Sequence, residues 1–134
     1  MRVVLDTNVL VSGLLSASGP PAWILEAFMA GDLTLVFDSA IRDEYEDVLR
    51  REEFGFAGAD VDHLLAALDR FGLLTAAAPL CPHPLPDPDD ERFLAVAAAT
   101  SAVLVTGNLK HYPVAATGEV VVQIPRQFIE AIRG

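Results

Sequence analysis

Five short apolar runs, set between longer stretches of helical periodicity, constrain this chain more than any other feature. They are 2–5, 33–37, 73–78, 102–105 and 120–124. Runs this short, with β-branched and aromatic content, read as strands. A helix is expected over 8–15, and Ser18-Gly19-Pro20-Pro21 places a loop over 16–21 because such a sequence cannot sit inside a helix. Pro21 suits the start of the next helix, which stops near Gly31. Ser39 is expected to cap a helix with Ile41, Tyr45, Val48 and Leu49 on one face and Asp43, Glu46, Asp47 and Arg50 on the other. Asp60 is expected to cap a helix carrying Val61, Leu64, Leu65, Leu68 and Phe71, which Gly72 ends. Pro79, Pro82, Pro84, Pro86 and Pro88 make 79–88 extended. Asp89 or Asp90 opens an alanine-rich helix to about Thr100, 107–113 is a loop, and 125–132 is a last helix.

Strands that alternate with helices favour an α/β fold, a three-layer α/β/α sandwich around a mainly parallel sheet. At 134 residues the chain is sized for a single domain over 1–134. A content of 52% hydrophobic and 21% charged residues suits a packed core. Charges and prolines interrupt every apolar stretch before the ~20 residues a bilayer requires, and no secretory signal is visible, so no membrane partner is expected. The lone Cys81 can form neither an internal disulfide nor a thiolate-rich zinc site. The expected compartment is cytoplasmic. Nine Lys and Arg face nineteen Asp and Glu, a net charge of −10. That balance argues against binding driven by basic residues replacing counterions, unless clustered carboxylates hold cations that reverse the local sign.

In parallel sheets ligands bind beyond the carboxyl ends of the strands. Asp6 follows the first strand; Asp38 and Ser39 follow the second, with Glu44 about one and a half turns on. Thr106, Gly107 and Asn108 follow the run 102–105, and Asp87, Asp89 and Asp90 stand at the mouth of the preceding helix. Carboxylate and amide oxygens in such numbers suit Mg²⁺ or Mn²⁺, hard cations that take oxygen ligands and water. Paired ions of this kind support phosphodiester cleavage. Taken singly, each residue also has an ordinary structural role. Asp6 and Asp90 could cap helices, Glu44 could sit on a solvated face, and Asp87 and Asn108 could be turn residues.

The motifs resemble those of PIN-domain proteins. Val4-Leu5-Asp6-Thr7-Asn8-Val9-Leu10 resembles the opening motif, and Ser39 through Glu44, Tyr45, Val48 and Leu49 the second. Asp87-Pro88-Asp89-Asp90 with Phe93, Leu94 and Ala97 resembles the third. Val105-Thr106-Gly107-Asn108 with Leu109-Lys110-His111-Tyr112-Pro113 resembles the fourth. The resemblance spans nearly the whole chain and is closest to the VapC-like toxin components of bacterial and archaeal toxin–antitoxin pairs.

The resemblance implies RNA hydrolysis in an acidic pocket with Mg²⁺ or Mn²⁺. It implies Asp6, Glu44 and Asp90 as metal ligands, with Asn108 at a fourth catalytic position usually held by Asp. Asp87 is a candidate to supply the missing charge. Asn8 and Thr106 are expected to orient ligands or water. Lys110, His111 and Arg92, with Arg42, are expected around the mouth, the first three as contacts to RNA phosphate. An antitoxin protein and a homodimer are the implied partners, with Trp23, Leu25 and Phe28 as a candidate contact surface; Trp23 and Phe28 equally suit ordinary core positions. Two rivals stand beside this reading. An aspartyl-nucleophile phosphatase would place a second Asp where this chain has Asn8. A catalytically weak or inactive PIN-like module that binds RNA or protein is favoured by Asn108 and the net charge.

Overall fold

A computed structural model describes residues 1–79 and 84–133. Cys81 and the centre of the proline-rich segment lie outside the described residues, so the extended reading of 79–88 is examined only at its ends. Among the described residues there are five strands: β1 (Arg2–Leu5), β2 (Thr34–Phe37), β3 (Leu73–Leu74), β4 (Val103–Val105) and β5 (Val122–Gln123). Between and after them run α1 (Thr7–Leu15), α2 (Pro20–Met29), α3 (Ser39–Leu49), α4 (Gly58–Phe71), α5 (Glu91–Thr100), α6 (Val114–Thr117) and α7 (Pro125–Arg133). Every strand pair is parallel, in the order β3-β2-β1-β4-β5. The expected α/β fold with a parallel sheet is therefore borne out.

Burial shows that both sheet faces are covered. Val3, Val4 and Leu5 are all buried, as are Leu35, Val36 and Phe37. Successive strand residues point to opposite faces, so unbroken burial requires a layer on each side. Helix α1 packs on α2 and α2 on α7, while α3 packs on α4 and α5, and α5 lies along β1, β2 and β4. Phe28, Phe37, Tyr45, Phe93 and Phe128 are the bulkiest fully buried side chains. Leu25 and Phe28 thus belong to the core, at 8% and 2% exposure, and they cannot form the contact surface expected of them. Only Trp23 of that set is partly open, and the Arg133 guanidinium covers its ring at 4.6 Å.

Several boundaries differ from the sequence expectations. Asp38, not Ser39, caps α3: its Oδ1 accepts from the Ile41 amide at 2.9 Å. Helix α4 starts at Gly58 with Ala57 in the cap position and no side-chain cap, so Asp60 lies inside its first turn. Strand β3 is two residues rather than six. Among the described residues its one partner is β2, and both its leucines are exposed; it stands at the sheet edge. Helix α6 was not foreseen, since four residues are too few for periodicity to register. The expected loop over 107–113 contains a 3₁₀ turn at Leu109–His111.

Gly72 illustrates how tightly these layers meet. A Cβ there would stand 2.6 Å from the Leu68 carbonyl oxygen and 2.6 Å from Phe37 Cε1. Its bareness lets the end of α4 drop directly onto β2.

Candidate active site

The sheet register builds the centre of the site. Leu5 pairs with Val105 across β1 and β4, so the next residues, Asp6 and Thr106, emerge side by side at the carboxyl edge. The Asp6 amide donates to the Val105 carbonyl at 2.9 Å. Thr106 Oγ1 in turn donates to Asp6 Oδ2 at 3.0 Å, and the Tyr112 hydroxyl donates to the same oxygen at 3.0 Å. Asp6 precedes α1 without capping it by its side chain, so the capping role that its position allowed is not the one it has. Burial pushes its carboxyl above the usual range, against the opposing pull of the Thr106 and Tyr112 hydrogen bonds.

Helix α3 brings Glu44. Tyr45, one residue on, is buried and donates its hydroxyl to the Leu5 carbonyl, which fastens α3 beside the end of β1. Thr7 Oγ1 donates to Glu44 Oε2. Arg92 Nη1 lies 3.7 Å from Glu44 Oε1, and its Nη2 lies 3.9 Å from Asp89 Oδ1. Arg92 therefore stands at the edge of the site, half-buried. Arg42 is engaged elsewhere, held by Glu46 and by Asp69 of α4, each at 2.7 Å.

Asp90 arrives from a 3₁₀ turn, Pro88–Asp90, in which Asp87 accepts from the Asp89 amide at 3.0 Å. The Asp90 side chain makes no cap bond to α5. It is 8% exposed, and its Oδ2 is fully buried without a hydrogen bond among the described residues. His111 Nδ1 is 2.9 Å from that oxygen, an ion pair when the imidazole is protonated. Burial, then the charges of Asp6 and Asp87, push the Asp90 carboxyl from 3.8 up to about 6, with His111 opposing.

Asp6, Glu44 and Asp90 therefore share one neighbourhood. The buried Tyr112 phenol is pushed far above its usual range, first by burial and then by the charges of Asp6 and Asp90, with Glu44 contributing. Asp87, Asp90 and His111 form a tighter group, with ligand atoms all within 4.8 Å of one another.

A family model described as PIN domain matches residues 2–110. The chain belongs to the PIN domain family. No curated protein and no solved structure matches it at a significant level. PIN domains form a nuclease superfamily and generally act with divalent metals, and the mixed carboxylate and imidazole group of this PIN domain is a possible place for one. No helix among the described residues is long and apolar enough to cross a membrane.

The remaining residues singled out in the sequence take these positions. Asn8 Oδ1 accepts from the Gly107 amide at 3.0 Å; Asn8 thus holds the β4 loop against α1. A Cβ at Gly107 would stand 3.2 Å from that same oxygen. Asn108 Oδ1 accepts from the Lys110 amide at 3.2 Å, and the Asn108 amide donates to Thr106 Oγ1 at 3.1 Å. The Asn108 side chain is thus used by its own turn. Lys110 is exposed in that turn. Sequence reasoning gave no role to Tyr112 and Thr7, although both stand inside the quoted motifs. The signal for Tyr112 was available in principle: a tyrosine four residues after the strand-end amide, in a loop that must fold back over Asp6.

Proposed function

We propose that the PIN domain, a single domain over residues 1–134, is a divalent-metal-dependent endoribonuclease and the toxin of a toxin–antitoxin pair. One observation supports the catalytic part above the others. Asp6 and Asp90 are both buried, and both carboxyls are pushed up. A fold that only needed helix caps gains nothing from holding repelling carboxylates out of water. The donor set of Asp6, Glu44, Asp90 and Asp87 is all carboxylate oxygen, which fits Mg²⁺ or Mn²⁺. When bound, such an ion lowers the pKa of a coordinated water and stabilises charge on phosphate oxygens.

The chain's own residues supply the rest of the reading. Thr106 and Tyr112 fix Asp6 through Oδ2. Thr7 holds Glu44 toward the end of β1. Arg92 and Lys110, at the edge, would meet the RNA backbone and offset the net negative charge locally. Asn8 keeps the β4 loop, and with it Thr106, in register.

The toxin assignment rests on the resemblance to the VapC-like group, and the implied partners are an antitoxin protein and a second copy of the chain. A second reading, a weak or inactive RNA- or protein-binding module, is favoured by Asn108, whose side chain serves its own turn. Incubating pooled RNA with Mg²⁺, Mn²⁺ or EDTA separates the two. Metal-dependent fragments that disappear with Asp6→Asn support the nuclease. RNA that is bound but unchanged under every condition supports the module. Growth arrest on expression, relieved by a neighbouring gene product, tests the toxin role.

A further inference from the structure

We propose that a neutral cavity beside the acidic centre holds one unpaired base of the RNA and selects guanine over adenine. The proposal rests on the nuclease reading and names the part of the substrate that is read. The cavity has a volume of about 270 Å³ and lies between α1, the loop after β4 and the first turns of α2 and α7. Its walls come from the same strand ends that hold Asp6. Asn8 follows Asp6 and Thr7 at the start of α1. Gly107 and Asn108 follow Thr106, whose hydroxyl donates to Asp6 Oδ2 and accepts from the Asn108 amide at 3.1 Å. A base seated in the cavity therefore adjoins a phosphate held at those strand ends.

The lining carries no charged side chain, although the chain as a whole has a net charge of −10. Val9, Pro21 and Pro125 give apolar surface for a flat ring, and Asn8, Ser12 and Asn108 give a few polar groups. Apolar walls with sparse, placed polar groups suit a small neutral ring and not a phosphate. Bases of single-stranded RNA are read in this way, splayed out and hydrogen-bonded along their edges.

The two carboxamides decide which base. Asn8 Oδ1 accepts from the Gly107 amide at 3.0 Å, and Asn108 Oδ1 accepts from the Lys110 amide at 3.2 Å. Each carbonyl oxygen is thereby committed to the backbone, and neither NH₂ group meets an acceptor among the described residues. The pair thus offers donors to a ligand. Guanine presents two neighbouring acceptors, O6 and N7, on one edge, whereas adenine sets the N6 amine, a donor, beside N7. An amine facing two NH₂ groups gives up water and gains no acceptor in return. The Ser12 hydroxyl turns to either role and does not discriminate.

The test reads binding apart from cleavage. Asn8 and Asn108 are the only asparagines of the chain, so their side-chain NH₂ resonances are readily followed by NMR. The intact, isotope-labelled protein is titrated at low salt, with EDTA present to prevent cleavage, with short single-stranded RNAs that differ at one central base. Guanine and inosine, which both keep O6 and N7, should move both NH₂ resonances and bind about 10-fold or more tightly than adenine, the scale of a good two-point contact to a base edge. Replacing guanine by 7-deazaguanine, which lacks the N7 acceptor, should remove most of that preference. Ser12 is exposed on α1, so Ser12→Trp should fill the cavity and level guanine with adenine while the melting temperature holds. If guanine and adenine bind with equal affinity, if a pyrimidine outbinds guanine, or if guanine leaves both NH₂ resonances in place, the site is refuted and the two asparagines only hold their turns. Failure of the nuclease reading looks different: no metal supports RNA cleavage, while guanine is still bound in preference to adenine.

Discussion

Replacing Asp90 with Asn removes charge and nearly preserves shape, and its effect on stability can be worked from the site. Raising a buried carboxyl from 3.8 to about 6 places roughly 3 kcal/mol on its ionised form. The folded-state value lies above the unfolded one, so this penalty is absent below 3.8, grows between 3.8 and about 6, and is complete above that. Part is offset by the helix N-terminus beneath Asp90, which favours an anion by roughly 0.3–1 kcal/mol. No cap bond is lost, because the side chain makes none. Asp90→Asn should therefore stabilise the metal-free protein at pH 8 by about 2 kcal/mol, roughly 6–10 °C in melting temperature for a chain of this size. Near pH 4 the gain should nearly vanish. With EDTA present, thermal unfolding by circular dichroism at both pH values measures it. Added Mn²⁺ should stabilise the parent far more than the variant, and RNA cleavage should fall by about 100-fold or more, the scale on which losing a group that acts in the transition state is felt. A metal-free variant that melts below the parent at pH 8, or a gain equal at both pH values, would refute the argument from repulsion. Undiminished cleavage would remove the acidic pocket from catalysis altogether.

Tyr112→Phe removes one of the two side-chain hydroxyls on Asp6 Oδ2; stability should fall by about 1 kcal/mol, and cleavage should weaken while RNA binding, read by fluorescence anisotropy, stays. Asn108→Asp keeps the acceptor for the Lys110 amide but adds charge to a repelling cluster, so the metal-free melting temperature should drop while the Mg²⁺ needed for half-maximal cleavage falls; an unmoved Mg²⁺ requirement would leave Asn108 a turn residue only. Gly72→Ala drives a methyl into the Leu68 carbonyl and the Phe37 ring and should cost about 2 kcal/mol or more, as overpacking does, in urea unfolding, with Mn²⁺ affinity of the folded fraction unaltered. Phe28→Ala should destabilise by roughly 3–5 kcal/mol rather than dissociate a dimer, because Phe28 lies in the core; light scattering with a stable, folded monomer would contradict that.

Local sequence was enough for the alternation of strands and helices and for the placing of Asp6, Thr106 and Asp90 at element ends, because period and punctuation are properties of neighbouring residues. The acids could be named as a group for the same reason: each follows or precedes a run whose direction is implied by a parallel sheet. Partners could not be read this way. That Thr106 touches Asp6, 100 residues away, depends on β1 lying next to β4 with Leu5 opposite Val105. No stretch of sequence carries that register. Periodicity showed that Leu25 and Phe28 lie on an apolar face but not whether that face meets the core or a second chain, and the packing of α2 against α1 and α7 settled it. Tyr112 was legible only as a loop residue, and His111 only as a loop cation expected to meet phosphate. Their contacts with Asp90 and Asp6 arise because the 3₁₀ turn after β4 folds the loop back over the strand ends, a path fixed by tertiary packing and not by any residue's own preference.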